Sequence, residues 1–312
     1  MFEHFRKIHF LNFASWRLGG KLFVLSLIFL FALTACRTEQ PQTQTEVKMR
    51  DIADDLGRKI KIPEKVERVV SLAPNLTENI FAVGAGDRLV GVTTFCNFPE
   101  AAAKIVKVGD TMNPNIETII ALKPQIVFVS TASQIETFTK TLEANNITVF
   151  VTNPKDLSGV LANLRQLGEI FGTMERTSVL LNELQERILA VDERVRDKPK
   201  TKTFVQISKE PLFTVGKESF LTEIVERAGG DSVTKAVATA YPKISKETAL
   251  ALNPDAIILS ESPDNTEPND VFKNSPAMKN KKVFKINADI ISRPSPRIID
   301  ALEQIADDLS GK

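Results

Sequence analysis

The stretch TMERTSVLLNELQERILAVDERVRDK, residues 173–198, contains neither glycine nor proline. Its apolar residues recur near the spacing of one helical face. They are Leu180, Leu181, Leu184, Ile188, Leu189, Val191 and Val195. Thr173 is suited to the N-cap, Glu175 falls in the first turn, and Pro199 follows the end. At about 1.5 Å per residue, the pattern predicts one rod of about 35 Å, long enough to cross a small domain.

A repeated segment flanks this helix on both sides. Residues 117–130 read ETIIALKPQIVFVS, and residues 247–260 read ETALALNPDAIILS. The two match at Glu, Thr, Ala, Leu, Pro and Ser in the same register, and their midpoint falls inside the helix. We therefore predict two similar lobes joined by one long α-helix, with residues 50–172 as the N-terminal lobe and residues 199–312 as the C-terminal lobe.

Length and composition fit a soluble chain of two domains, each with its own core. The 312 residues are 43% hydrophobic and 25% charged, which is ordinary for globular proteins. Beyond residue 35 there are 36 basic and 38 acidic residues, so no nucleic-acid partner is expected. Both histidines, His4 and His9, lie at the start of the chain. We expect no enzyme activity, no cofactor and no bare metal site, because imidazole is then unavailable for catalysis or ligation.

The first 49 residues have the composition of an export leader and a tether. Residues 22–33 are almost wholly apolar, too short a run for a membrane span but suited to a signal peptide. The run ends in Leu33-Thr-Ala-Cys36, which resembles a bacterial lipoprotein signal. We predict a signal peptide over residues 1–35, a lipid on Cys36 and a polar, flexible tether over residues 36–49. The alternative is an ordinary signal peptide with a chance cysteine.

Strands and helices alternate through both lobes. The first lobe has a predicted hairpin over residues 52–62, then strands near 68–72, 89–93, 126–130 and 148–151, with helices near 116–122, 134–144 and 157–171. Asn75 or Thr77 is the expected cap of a further helix. The second lobe has predicted strands over 202–208, 256–260 and 282–286, with helices over 219–228 and from Ser295 to 309. The alternation predicts an α/β fold with mostly parallel sheets.

The ligand of such lobes is expected beyond the carboxyl ends of the strands. The residues that this rule places near an opening are Asn75, Phe95, Met112, Ser130 and Thr131.

Several motifs, taken in order, resemble one known family. They are SLAPNLTE at 71–78, GVTTFCNFP at 91–99, ALKP at 121–124, FTVGKE at 213–218 and SPRI at 295–298. From about residue 50 onward the chain is similar to the helical-backbone substrate-binding proteins, which serve ABC importers of cobalamin, iron–siderophores and haem. The resemblance implies two Rossmann-like lobes joined by the long helix, with ligand held in the cleft between them. It also implies a monomer outside the cytoplasmic membrane whose partners are a permease dimer and its ATPase.

The resemblance also implies roles for individual residues. In the vitamin B12-binding members, one glutamate on each lobe docks onto arginines of the permease, and the matching positions here are Glu117 and Glu247. The same motifs place Phe95, Phe213, Tyr241, Asp289 and Arg293 along the cleft. Each glutamate also has a simpler explanation, because an acid in the first helical turn is favourable in itself. Arg293 could equally form a structural salt bridge, and Cys96 could be a soft ligand or a small buried apolar residue.

The ligand stays open among three kinds of metal chelate: corrinoid, ferric siderophore and haem. Thr111 and Ser130 stand where the B12 binders have tryptophans, and Ile207 replaces a phenylalanine. Fewer aromatic faces are therefore available for a flat macrocycle. The competing functions are a surface lipoprotein without a transport role and an enzyme on paired lobes of the nitrogenase type. The enzyme would need cluster-binding cysteines that a single free Cys96 cannot supply.

Overall fold

The computed structural model describes residues 48–130 and 135–311, with the backbone alone for residues 135–138. These residues belong to one compact unit. The predicted signal peptide, the lipidation site Cys36 and the ligand-binding candidate Thr131 lie outside the described residues. Among the helices that are described, none combines the length and the apolar character needed to cross a bilayer.

Two lobes follow one another along the chain, separated by a long helix. The first lobe contains β1 (Met49–Ala53), β2 (Lys59–Pro63), β3 (Val69–Ser71), α1 (Pro74–Ala82), β4 (Leu89–Val92), α2 (Ile116–Ala121), β5 (Ile126–Ser130), α3 (Ile135–Ala144), β6 (Thr148–Thr152) and α4 (Leu157–Phe171). The long helix is α5 (Met174–Val195). The second lobe contains β7 (Thr201–Gln206), α6 (Phe220–Arg227), β8 (Gly230–Ser232), α7 (Lys246–Leu252), β9 (Ala256–Glu261), α8 (Pro276–Lys279), β10 (Val283–Asn287), α9 (Ala288–Ile291) and α10 (Ile298–Ser310).

The two lobes share one sheet topology. Their strands are ordered β4-β3-β5-β6 and β8-β7-β9-β10, and every neighbouring pair is parallel. Strands β5 and β9, which end the repeated segments, occupy the same place in the two sheets. The predicted α/β fold of two lobes with mostly parallel sheets is confirmed. The predicted hairpin is confirmed as the antiparallel pair β1–β2.

The tether predicted over residues 36–49 is too long at its C-terminal end. Met49 already pairs with Pro63 as the first residue of β1. Lys48 accepts a backbone hydrogen bond of 2.8 Å from Glu64 N–H through its carbonyl oxygen. Backbone pairing therefore makes these two residues part of the folded lobe.

Helix α5 is unbroken over 22 residues, as predicted from its spacing. Leu181, Leu184, Ile188 and Val191 are buried along one face. Leu189, expected on the same face, is 55% exposed. Its position lies one step outside the stripe of apolar residues spaced at three and four. Thr173 occupies the N-cap, but its side chain makes no capping hydrogen bond.

The buried face of α5 joins the cores of the two lobes. One apolar cluster includes Leu76 and Phe128 of the first lobe, Leu184 of α5, and Val225 and Leu302 of the second lobe. The two lobes therefore share one core, and each lobe has in addition a smaller core of its own. Alternate residues of β5 and β9 point the other way, into a second and a third cluster on the outer faces of the sheets.

Ion pairs add to the contact between α5 and the second lobe. Arg187 of α5 contacts Asp300 and Glu303 of α10, each at 2.6 Å. Arg227 of α6 makes a two-pronged contact with Asp192 of α5, at 2.7 and 2.6 Å. These side chains are partly exposed, so the pairs orient the helices more than they stabilise them.

The repeated segment is one structural unit used twice. Asn115 caps α2 by accepting from Thr118 N–H at 2.9 Å, and Ser245 caps α7 by accepting from Thr248 N–H at 3.1 Å. Each helix then ends near a left-handed residue, Lys123 with φ 48° and Asn253 with φ 42°. A proline follows in both cases, and the strand begins two residues later.

Two predicted helix starts are wrong by a few residues. Helix α1 begins at Pro74 after Ala73, so Asn75 and Thr77 lie inside its first turn and do not cap it. Helix α10 begins at Ile298, because Ser295 uses its hydroxyl in a contact with the other lobe. The short elements β8, α8 and α9 were not predicted, since three or four residues carry no readable period.

Candidate functional site

A cavity of about 580 Å³ opens between the two lobes. We call it the cleft cavity. It is lined by Ala73, Pro74, Asn75, Thr111, Ser130, Asn153, Pro154, Lys155, Glu218, Ser219, Phe220, Ala240, Tyr241, Ser292, Arg293 and Pro294. These residues follow the carboxyl ends of strands in both sheets, which is where ligands bind in open parallel sheets.

The wall from the first lobe includes short, uncharged polar side chains from three different elements. Asn75 stands in the first turn of α1 and is 8% exposed. Ser130 is the last residue of β5, and Thr111 lies in the loop between β4 and α2. These groups can donate and accept hydrogen bonds without carrying charge.

The wall from the second lobe is built on a fixed loop that carries Tyr241. Gly216 N–H donates to Ala240 O at 2.9 Å, and Thr214 N–H donates to Pro242 O at 3.1 Å. A Cβ at Gly216 would lie 2.1 Å from Thr239 O, so this approach needs glycine. Although 45% of Tyr241 is exposed, desolvation raises the pKa of its phenol while a hydrogen bond with Ser219 lowers it. Tyr241 therefore stays protonated at neutral pH.

Behind the cleft cavity, one buried carboxylate joins the lobes. Glu78 of α1 is 3% exposed and accepts hydrogen bonds from three residues of the second lobe. Arg293 Nη1 donates to Oε1 at 2.8 Å, and Ser295 Oγ donates to Oε2 at 2.7 Å. Arg297 donates to both oxygens, at 2.6 and 3.0 Å. We call these four residues the lobe clasp.

The loop that follows β4 extends the lobe clasp. Asn97 donates to Asp289 Oδ2 at 2.7 Å and accepts from Arg293 Nη1 at 2.8 Å. Arg293 Nη2 also pairs with Asp289 at 2.6 Å. The Arg297 guanidinium lies 4.1 Å from the centre of the Phe98 ring, a cation–π contact. The charges of the two arginines are therefore matched by Glu78 and Asp289.

The structure brings four of the candidate ligand-binding residues to the cleft cavity, namely Asn75, Ser130, Tyr241 and Arg293. Phe95 and Met112 do not line it, and they are 62% and 48% exposed. Met112 adjoins Thr111 in the chain, and Phe95 is in the loop that carries Asn97. Asp289 contacts Arg293 without lining the cleft cavity.

Phe213 is part of the scaffold behind the cleft cavity. It forms isolated bridges with Ser208 and Lys243, and its N–H donates to Ser208 O at 3.2 Å. These contacts hold the Tyr241 loop against the end of β7. Phe213 itself does not line the cleft cavity.

Residues of the lobe clasp lie in motifs that are conspicuous in the sequence, but the sequence does not predict which of them contact one another. Glu78 ends the motif SLAPNLTE, which runs from a buried strand into a helix. A charged residue is unusual at such a position, and it indicates a buried partner. The partner could not be found from spacing, because Glu78 and Arg293 are separated by 215 positions.

Glu117 and Glu247 occupy the same place in the two repeats. Each is the second residue of its helix, α2 or α7, and each is exposed. The pKa of Glu247 is lowered by a hydrogen bond from its own N–H and by one from Ser245. Thr111 and Tyr241, six residues before these glutamates, line the cleft cavity from opposite lobes.

Cys96 is buried, with 2% exposed. Its sulfur lies 3.2 Å from Thr77 Oγ1 and 3.1 Å from Thr93 Oγ1. Of the two interpretations of this residue, the small buried side chain is the one that the structure confirms. Within residues 48–130 and 135–311, no group of three or more histidine, cysteine, aspartate or glutamate side chains is placed to hold a metal ion.

Residues 69–290 match the family model of the periplasmic binding proteins, so the chain belongs to that family. It is 30% identical to the vitamin B12-binding protein of Vibrio vulnificus strain YJ016 over 246 residues, which cover 78% of this chain and 89% of that one. It is 29% identical to YvrC, an ABC transporter substrate-binding lipoprotein of Bacillus subtilis, over 88% of this chain and 89% of that one.

Solved structures show the same architecture. The periplasmic vitamin B12 binding protein BtuF of Vibrio cholerae superimposes with a TM-score of 0.70 at 26% identity, covering 80% of this chain and 98% of BtuF. A periplasmic heme binding protein from Pseudomonas aeruginosa gives a TM-score of 0.71 at 22% identity, covering 79% of this chain and 94% of that one. The second likeness concerns the fold alone.

Proposed function

We propose that this chain captures a chelated-metal nutrient, either a corrinoid or a ferric siderophore, in the cleft cavity and delivers it to an ABC importer. The observation that carries the proposal is a cavity of about 580 Å³ lined by both lobes of a B12-binding type of fold. This volume falls in the range of small-molecule sites. A chelate brings its metal already ligated, which suits a wall of hydroxyl, amide and aromatic groups better than a bare ion does.

Exposed apolar side chains on the two chain segments that carry Thr111 and Tyr241 to the cleft cavity support a large ligand. Tyr241 is 45% exposed, and Phe95, Phe98 and Met112 are 62%, 44% and 48% exposed. Apolar residues concentrated at an opening are typical of ligand sites. A ligand larger than the cleft cavity would cover some of these apolar side chains.

The proposed function is tested by binding and by colour. We expect the purified protein to bind cyanocobalamin or a ferric hydroxamate such as ferrioxamine B with a dissociation constant in the micromolar range or below. Binding is measured by titration followed through the absorption of the ligand, or by calorimetry. Haem is titrated in parallel, because its absorption bands distinguish it at once. A folded protein that binds no corrinoid and no ferric siderophore would contradict the proposal, whether or not it binds haem.

Glu117 and Glu247 are proposed to dock onto the permease, one from each lobe. Both are exposed at the start of repeated helices. They also follow the cavity-lining residues Thr111 and Tyr241 by the same six positions in each lobe. Exposed charge pairs mainly set orientation and association rate, which suits a transient delivery complex.

We expect the double variant Glu117→Ala, Glu247→Ala to bind ligand as the wild type does and to lose transport. The physical reason is that neither carboxylate lines the cleft cavity. Ligand affinity is measured by calorimetry, and uptake is measured in cells or in proteoliposomes with the importer. The matched control is Glu186→Ala with Glu193→Ala, two exposed glutamates of α5. Loss of ligand affinity in the docking variant, or equal loss of transport in the control, would exclude the docking role.

The body is proposed to be held at the outer side of a bacterial membrane by lipid on Cys36. The support is the signal-like run ending in Leu33-Thr-Ala-Cys36 and the similarity to a lipoprotein of Bacillus subtilis. Tethering would keep a binding protein close to its transporter and raise its effective concentration there.

A further inference from the structure

The charges around the cleft cavity are balanced within the protein. Arg293 is the one arginine of its lining among the residues that the structure describes, and it is only 9% exposed. Its two terminal nitrogens are engaged by Glu78, Asn97 and Asp289 at 2.8, 2.8 and 2.6 Å. The guanidinium that faces the ligand is therefore already matched by carboxylates of the chain.

The remaining charges of the lining also offset one another. Lys155 and Glu218 line the cleft cavity, and both are exposed. The N-terminus of α1, which carries Asn75 into the cavity, adds only a partial positive charge of about half a unit. The other lining residues are neutral. Among the described residues, the lining itself offers no cluster of free cations to a ligand with several negative charges.

Glu78 is the residue on which this balance depends. Its carboxylate neutralises Arg293 from behind the cleft cavity and is itself held by Ser295 and Arg297. An anionic ligand group at Arg293 would have to compete with a buried carboxylate at 2.8 Å and would be repelled by it.

We infer that Glu78 sets the charge selectivity of the cleft, so that this protein takes chelates of low net charge and rejects polyanionic ones. The inference rests on the proposed function and narrows it to corrinoids and ferric hydroxamates. Ferric catecholates, which carry three negative charges, and haem with its two propionates are disfavoured. Glu78 acts through Arg293 and does not itself line the cleft cavity.

The test compares ligands of different charge on the same protein. Cyanocobalamin, ferrioxamine B, haem and ferric enterobactin are titrated against the wild-type protein at two salt concentrations. We expect the better of the two low-charge chelates to bind at least tenfold more tightly than ferric enterobactin. Wild-type protein that prefers ferric enterobactin or haem would overturn the inference and leave the transport proposal standing. Protein that is folded and binds no chelate would overturn the transport proposal itself.

Two variants test the role assigned to the carboxylates. Glu78→Gln removes one buried charge with little change of shape. Asp289→Asn removes the charge of the other carboxylate that pairs with Arg293, and this variant is at lower risk of misfolding because Asp289 is only half-buried. We expect each substitution to lower, by tenfold or more, the ratio of the affinity for the low-charge chelate to the affinity for the anionic chelate. Glu261→Gln, which removes the charge of a half-buried glutamate paired with Lys285, is the matched control and should leave the ratio unchanged. An unchanged ratio in Asp289→Asn and in folded Glu78→Gln would overturn the inference.

Discussion

At the scale of single residues, two leucines of α5 differ in how far their side chains are buried. Leu184 is 2% exposed and belongs to the cluster that joins the lobes, whereas Leu189 is 55% exposed. Both were predicted on the apolar face. Periodicity marks a stripe about one hundred degrees wide, and a residue at its margin is buried only if a neighbouring element happens to cover it.

We expect Leu184→Ala to lower the free energy of unfolding by about 2–5 kcal/mol, because it leaves a cavity in a shared core. Leu189→Ala should change it by less than about 0.5 kcal/mol, since the side chain is already in water. Urea denaturation of both variants, followed by circular dichroism, gives the comparison. Similar losses in the two variants would show that α5 does not present the face described above.

The residues of the lobe clasp show where sequence reasoning stops. The motifs that contain Glu78 and Arg297 are conspicuous, and Arg293 was weighed as either a ligand contact or a salt bridge. The structure shows the salt bridge and also places Arg293 at the cleft cavity. Pairing across 215 positions depends on how two lobes meet, which local pattern does not encode.

At the scale of elements, the repeat was the most informative signal. It combines a side-chain cap, a short helix, a left-handed residue, a proline and a buried strand, and each part has a local cause. For that reason the bounds predicted for the strand β5 agree with the structure to the residue. The bounds predicted for the helix α4 agree as well, because Asp156 caps its start and Gly172, with φ 67°, ends it. The four-residue helix α9 was missed although Asn287 caps it, because an element so short shows no period.

Element ends were wrong where a side chain has a partner elsewhere. Ser295 has the form of a helix cap, yet its hydroxyl donates to Glu78, and the helix starts three residues later. Thr77 lies inside α1, where its hydroxyl donates to Ser71 Oγ at 2.9 Å, and it accepts no capping hydrogen bond. Tertiary contacts override local capping preference at these two places.

At the scale of the whole molecule, the lobes are joined by α5, by one continuous apolar cluster and by the lobe clasp. A hinge needs a few residues that absorb large changes of backbone angle, and α5 has none, because it is helical throughout. Rotation of one lobe would also separate Glu78 from two arginines.

We therefore expect the ligand-free and ligand-bound proteins to have nearly the same overall dimensions. Small-angle X-ray scattering of the same preparation, before and after ligand is removed by dialysis, should give profiles that superimpose. The expectation follows from the cost of breaking a buried ion pair, about 3–5 kcal/mol when one partner is lost. A large compaction on ligand binding would contradict it.

The shared strand order of the two sheets has one more consequence, which concerns symmetry. A receptor made of two equivalent halves offers the same local surface twice, at Glu117 and again at Glu247. If docking occurs as proposed, a transporter composed of two identical chains could meet both halves with a single kind of binding surface.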